Sequence, residues 1–391
     1  MSGVRASPRG QILHLRGSTL ADPEGGFRKG DLLLERGVIR AMHRVPPDTL
    51  RQAQTVDLGG LHVAPGFIDI HAHVLNRPEG ESNRLPPDRV GVRQGVACVV
   101  DAGSAGAGTI EGFVELREHQ DTSLFALINI GSPGAPGTGR GAGHSSRPEW
   151  VSLEATVSAV ERHREFVRGI KVQASASHTG TYGLTAVALA RKAADLTGLP
   201  LMMHVGNAPP VLDEALDYLR EGDILTHAFH GKVGGALTFE GKLLPALEEA
   251  VRRGVLIDVG HGRSSFAFAT AERVLDQGLP VHSISTDLHH GNVDRYVVSL
   301  ARTMTKMVSL GITLEEAIRA VTATPARALR LERDGFGSMA TGQPANLTVF
   351  RLRSDPLEVE DSHGELRRVE RWIEPTAVYV GGVRYEVDAP L

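Results

Sequence analysis

Five places along the chain carry residues that could bind a divalent cation together. His71-Ala72-His73 is a His-x-His pair, and Lys171, His204, His227 and Asp287 each close or follow a short apolar run. Side chains at i and i+2 of a strand point to the same side, so both imidazoles of the pair can reach one ion. Imidazole and carboxylate suit Zn first, but Mn, Fe, Ni and Co as well, so residue type does not choose the metal. The chemistry such a set supports is the binding of a divalent ion. Singly, each residue has a plainer reading. His204 or His227 alone would be a hydrogen-bonded core histidine, Asp287 could cap a helix, and the Lys171 ammonium cannot ligate a cation. The joint placement at successive strand ends is what points to a metal site.

Other polar residues follow the same strand ends. His261 in Gly260-His-Gly262, Asn207 and His230 are candidate substrate contacts, donating to a carboxylate or carbonyl; the alternative is support of metal-bound histidines. His289 and His290 follow Asp287 and read as loop-shaping neighbours. Arg140 and His144 belong to or border the glycine-rich stretch 131–143, which lacks a following Gly-Lys-Ser/Thr and reads as a mobile loop over a mouth, not a phosphate cradle.

The elements that must hold these groups are legible as apolar runs. Gly66–Ile70, Ala97–Val100, Leu124–Ile130, Gly169–Val172, Leu199–Met203, Ile224–Thr226, Val255–Val259 and Val281–Thr286 read as strands. Amphipathic helical patterns follow most of them, such as Leu184–Leu196, Val211–Leu219, Leu243–Arg253, Ala267–Gln277 and Leu314–Ala320, the last with Thr313 as N-cap. Eight β-then-α units between residues 63 and 336 predict an α/β (β/α)8 TIM barrel, whose catalytic groups gather at the C-terminal strand ends. Residues 1–62 and 337–391 read instead as short strands with tight turns, including Arg36-Gly37 as a hairpin turn. They predict a small composite β-sandwich built from both ends of the chain.

Composition narrows the class further. The chain has 391 residues and a net charge of −4, so it lacks the basic footprint of a nucleic-acid binder. No apolar run approaches the ~20 residues that span a bilayer, and the start shows no apolar leader, so no membrane partner and a cytoplasmic home are expected. Seventeen histidines stand against one cysteine, Cys98, which excludes a disulfide and a thiolate zinc cage. Cys98 sits mid-strand in Val96-Ala-Cys-Val-Val100 and reads as core. The expected partner is a small-molecule substrate, with the oligomeric state left open between monomer and homo-oligomer.

The stretch Val63-Ala-Pro-Gly-Phe-Ile-Asp-Ile-His-Ala-His73 resembles the opening signature of the amidohydrolase superfamily. The ordered set His-x-His, Lys, His, His, Asp is similar to its binuclear members. The resemblance spans nearly the whole chain, with one departure, Ala345-Asn346-Leu347 where the family usually has Ala-Asp-Leu. Gly169-Ile-Lys-Val172, Met203-His-Val-Gly-Asn-Ala-Pro-Pro210 and Leu225-Thr-His-Ala-Phe-His-Gly-Lys-Val-Gly-Gly235 are similar to the amidohydrolase/deacetylase, dihydroorotase-like subgroup. The resemblance implies a Lys171 carboxylated by CO2 and bridging two divalent ions. One ion would lie on His71, His73 and Asp287, the other on His204 and His227. It further implies attack of a bridging hydroxide, with Asp287 as general base and acid, on an amide or ester bond of a small acylated carboxylic acid. Cyclic-amide hydrolysis of the dihydroorotase or dihydropyrimidinase type is the alternative. An inactive scaffold is disfavoured, because all six ligand positions are occupied.

Overall fold

Two large sheets and a small two-stranded one share the described chain, and the first is made from both of its ends. The computed structural model describes residues 12–75, 85–135 and 145–388. From the N-terminal part come β1 (Ile12–Asp22), β2 (Gly26–Glu35), β3 (Val38–His43), β4 (Gln54–Asp57) and β5 (His62–Pro65). The β2–β3 turn is a two-residue loop with Arg36 and Gly37 both at positive φ (53° and 79°), the geometry that matches strand twist.

The second sheet is parallel and holds β6 (Phe67–Ala72), β7 (Val96–Gly106), β8 (Ser123–Asn129), β9 (Val167–Ala174), β10 (Leu201–Val205), β11 (Ile224–Thr226) and β12 (Leu256–Asp258), in sequence order. β7 and β9 are buried at every residue. Burial at every position, with Asp101, Arg168, Lys171 and Gln173 among the buried residues, follows from a sheet covered on both faces. Helices follow most of these strands, among them Leu184–Thr197, Pro245–Arg252 and Phe268–Asp276. The helix Leu314–Ala320 starts with the expected cap, a reciprocal capping box between Thr313 and Glu316.

The run expected as an eighth strand, Val281–Thr286, is not a regular strand. It makes isolated parallel bridges instead, Ser283 to Asp258 and, just beyond the run, Leu288 to Ala72. Just past the run, Asp287 has a φ of 53° and turns the backbone out of extension. The backbone is hydrogen-bonded on both sides all the same: His261 N donates to Ser285 O (3.1 Å) and Gly262 N to Thr286 O (2.9 Å), while His73 N donates to Leu288 O (2.8 Å). The segment therefore joins the two edges of the seven-stranded sheet.

The C-terminal part adds β13 (Leu347–Arg353), β14 (Leu357–Glu360), β15 (Leu366–Val369), β16 (Trp372–Val380) and β17 (Val383–Glu386). β14 and β15 form a separate hairpin. The others complete a mixed eight-stranded sheet in the order β17-β16-β13-β5-β1-β2-β3, with β4 on β1. β5 runs to Pro65, so this sheet extends slightly past residue 62. Its apolar residues, including Leu15, Leu34, Val63, Leu347 and Tyr379, form a cluster distinct from the larger one around the parallel strands. Cys98 lies in that larger cluster, fully buried.

Candidate metal centre

His71 closes β6 and His73 follows it, Lys171 lies in β9, His204 in β10, and His227 directly follows β11. With Asp287 they meet at one end of the parallel sheet. Asp287 Oδ1 is 3.1 Å from His73 Nε2 and 3.5 Å from His71 Nε2, and its Oδ2 is 4.0 Å from His227 Nε2. Ligand atoms of His71, His227 and Asp287 all lie within 4.8 Å of one another. Lys171 Nζ is 3.2 Å from His71 Nε2. The His204 ring meets the His227 ring edge-on, with centroids 4.4 Å apart. All six residues expected as ligands are thus brought together.

The far side of each ring decides what the near side offers. His227 Nδ1 lies 2.5 Å from the Gly260 carbonyl, which only accepts, so the proton is on Nδ1 and Nε2 is a bare lone pair. That Nε2 is buried with no hydrogen-bond partner among the described residues. His71 Nδ1 lies 2.9 Å from Thr226 Oγ1, whose own hydrogen goes to Asp258 Oδ2 at 2.7 Å. Thr226 therefore accepts from His71, and Nε2 of His71 is also unprotonated. His73 Nδ1 is held by Ser104 Oγ at 2.8 Å, and Ser104 N donates to Asp101 Oδ1 at 2.7 Å. These outer contacts are what orient metal-binding histidines.

Electrostatics agree with this tautomer pattern. Burial drives His71 and His204 well below the ordinary imidazole range and His227 to about 3, so their rings stay neutral. Burial pushes the Asp287 carboxylate up, but His71, His73 and His227 together outweigh it and hold it well below its usual range. Burial also brings Lys171 down to about 7, against the pull of Asp287, Asp258 and Asp101. An ionised carboxylate among neutral imidazole lone pairs is complementary to a cation, and the residues fit a divalent metal.

Glycines make the close approach feasible. A Cβ on Gly262 would lie 2.6 Å from Asp287 Oδ2, and one on Gly103 would lie 2.7 Å from Lys171 Cγ.

The expected substrate contacts fare differently. His261 is fully buried beneath the site, stacked on Phe266 at 4.6 Å. Its Nδ1 donates to Gly262 O at 3.0 Å and its Nε2 accepts from Lys306 Nζ at 2.8 Å. Both of its ring nitrogens are thus engaged within the protein. His230 is buried, and its Nδ1 accepts from Lys232 N at 3.1 Å, leaving Nε2 as an N–H donor. Asn207 is exposed, with its side-chain oxygen accepting from Ser175 Oγ at 2.7 Å. His289 does shape its loop, accepting from Gly291 N at 3.0 Å, and His290 is exposed. Arg140 and His144 lie outside the described residues.

Two neighbours escaped sequence reasoning. The His178 ring stands edge-on to His204 at 5.0 Å, its Nδ1 lies 2.9 Å from Ser177 Oγ, and burial brings it to about 4. Lys232 is partly buried beside the same cluster. The signal that could have found them is position, since each follows a ligand-bearing strand by a few residues.

The amidohydrolase family profile matches residues 62–384, and the chain belongs to this family. A deacetylase of Agrobacterium fabrum is 35% identical over 339 residues, covering 86% of this chain and 81% of that protein. A deacetylase of Enterococcus faecalis is 35% identical over 330 residues, or 84% and 87% of the two chains. Among solved structures, a dihydroorotase with 32% identity matches with a TM-score of 0.87 over 97% of this chain and 99% of that one. An adenine deaminase with 31% identity gives the same TM-score over 96% and 100%. The protein is a hydrolase acting on amide or ester bonds. Among the described residues no helix is long and apolar enough to cross a membrane.

Proposed function

We propose that this chain is a deacetylase-type metallohydrolase that cleaves the amide or ester bond of a small acylated carboxylic acid, such as an N-acyl amino acid or an O-acetyl 2-hydroxy acid. One observation carries the reading: the buried Nε2 of His227, a lone pair with no donor among the described residues, beside the ionised Asp287. The 35% identity to two deacetylases supports the substrate class. In this reading the parallel sheet and the 283–288 segment form a (β/α)8 barrel spanning 63–336. The mixed sheet is a composite β domain of 1–62 and 337–391.

Held by His71, His73 and Asp287 on one side, by His204 and His227 on the other, and by carboxylated Lys171 between, two divalent ions would acidify a water and polarise the scissile carbonyl. Asp287 takes the proton of the attacking water and passes it to the leaving alcohol or amine. Lys171, with its pKa near 7, has a substantial neutral fraction at neutral pH. That amine adds to CO2: a nitrogen–carbon bond forms, one proton leaves, and an anionic carbamate results. His230 keeps an N–H on Nε2 to donate to the substrate, and Asn207 stands at the rim.

The likeness to a dihydroorotase structure supports a second reading, cyclic-amide hydrolysis, on the same site. A screen of N-acyl amino acids, O-acyl 2-hydroxy acids, hydantoins and dihydroorotate with metal-loaded enzyme separates the two. Turnover of the acylated acids is expected. Turnover confined to the cyclic amides would replace the first reading with the second.

A further inference from the structure

Lys232 differs from the other five lysines of the chain. Lys29, Lys192 and Lys242 are exposed to water. Lys171 and Lys306 are buried with acceptors, Lys171 against His71 and Met202, and Lys306 against His261 and the Tyr296 carbonyl. Lys232 is withdrawn partly from water, yet among the described residues its ammonium makes no hydrogen bond and no ion pair. A desolvated charge without a partner is costly and calls for a counter-ion.

Its position is set by the backbone. The Lys232 N–H donates to His230 Nδ1 at 3.1 Å. Gly235 folds back on the same ring so closely that a Cβ there would lie 2.5 Å from His230 Cε1. The loop after β11 is thereby wrapped around His230, and Lys232 is tied to the strand end that carries His227. Burial is the main reason that His178, His204, His227 and His230 titrate low, and the Lys232 charge adds to it at every one of them. Burial lowers Lys232 itself, and Asp287 is the one carboxylate that acts against this. Once Asp287 is spent on a bound cation, the ammonium has no protein anion to answer it.

We propose that Lys232 is the residue that takes the substrate's carboxylate, anchoring an acylated acid so that its acyl carbonyl lies over the His73–Asp287 pair. This rests on the deacetylase reading above. It makes Lys232 the determinant that separates acylated acids from neutral esters and amides. Arg263 is a cation near His289, two residues beyond Asp287, but it is exposed and serves as the comparison.

The test compares wild type, K232M, K232R and R263M, each loaded with metal and checked for equal metal content. Substrates are an O-acetyl 2-hydroxy acid and its methyl ester, and plain lactate is titrated by calorimetry as a probe of carboxylate binding. K232M is expected to raise KM for the free acid about tenfold or more with kcat little changed, while KM for the ester stays put. Lactate affinity should fall in parallel, K232R should recover most of both losses, and R263M should show neither. Equal losses on acid and ester, an unchanged KM in K232M, or a loss appearing in R263M instead would overturn the assignment. If wild type hydrolyses neither compound but lactate binding still depends on Lys232, the carboxylate anchor stands and the deacetylase reading falls. If the acid is hydrolysed and Lys232 makes no difference, the reading stands and the anchor falls.

Discussion

His227 Nε2 and Asp287 Oδ2 lie 4.0 Å apart, and both residues hold that position on left-handed backbone, with φ of 71° and 53°. Neither is glycine, so each conformation costs on the order of 1–3 kcal/mol and persists because its surroundings enforce it. The enforcing contacts are hydrogen bonds: Gly260 O on the His227 ring, and His71 O and Asn292 Nδ2 on the backbone of Asp287. Strain at two adjacent ligands, each aimed at the other, is what a preorganised cation site looks like.

Replacing Asp287 by Asn keeps the shape and removes the anion. D287N is expected to bind metal more weakly and to lose about a thousandfold or more in kcat/KM, since both the ligand and the proton acceptor go. Thermal unfolding of the metal-free variant should come at a lower temperature, because the fold holds this carboxylate well below its usual range and so favours its charged form. Metal content, kinetics and a melting curve check all three. Activity within tenfold of wild type would remove Asp287 from proton transfer.

Lys171→Ala is expected to lose metal and activity together, because its carbamate is the anion proposed between the two ions. Added formate or acetate should restore part of both by occupying the space left behind. Metal analysis with and without the added carboxylate is the decisive measurement. Unchanged activity in the variant would dispose of the carbamate.

The six residues that meet at the sheet end were legible because residue type and strand-end placement are local properties of the sequence. What surrounds them was not. Thr226 and Asp258 serve His71 across strands far apart in sequence, and only sheet register brings them there. His261 has the right residue type at the right strand end, yet Lys306, on a helix 45 positions later, claims its free nitrogen. The eighth barrel strand was read from its apolar run, but that run makes only isolated bridges, and the backbone leaves extension at Asp287 just beyond it.

Stability of the metal-free protein should depend on pH through two buried lysines. Burial brings Lys171 and Lys306 to about 7 from the ordinary 10.5, with Arg302 adding to the effect at Lys306. Above about 7 the unfolded chain holds a proton on each that the folded chain lacks, so stability rises with pH and is lost as pH falls through 7. The slope is up to about 1.4 kcal/mol per pH unit for each lysine. The useful window closes near pH 9, where the unfolded Cys98 thiol ionises and the folded one, raised by burial, does not. Melting temperatures in chelator between pH 7 and 9 should climb, and K306M should roughly halve the climb. A flat profile in wild type would mean that both amines keep their protons in the folded state.

The Asp258–Thr226–His71 chain gives the sharpest test of how the site is built. Asp258 is fully buried and accepts from three hydroxyls, Thr226, Ser283 and Ser285, at 2.7, 2.5 and 2.7 Å. Thr226 has one hydrogen and spends it there, so its oxygen can only accept from His71 Nδ1. Thr226→Val keeps the volume and removes that acceptor, which frees His71 to place its proton on Nε2, where the cation should bind. The loss of such an outer contact typically weakens metal binding by about 10–100-fold, whereas Thr226→Ser keeps the hydroxyl and should bind nearly as wild type. Competition against a chelator of known affinity measures the difference, and circular dichroism confirms the fold. Equal affinity in T226V and T226S would show that the tautomer of His71 is fixed by something other than this hydrogen-bond chain.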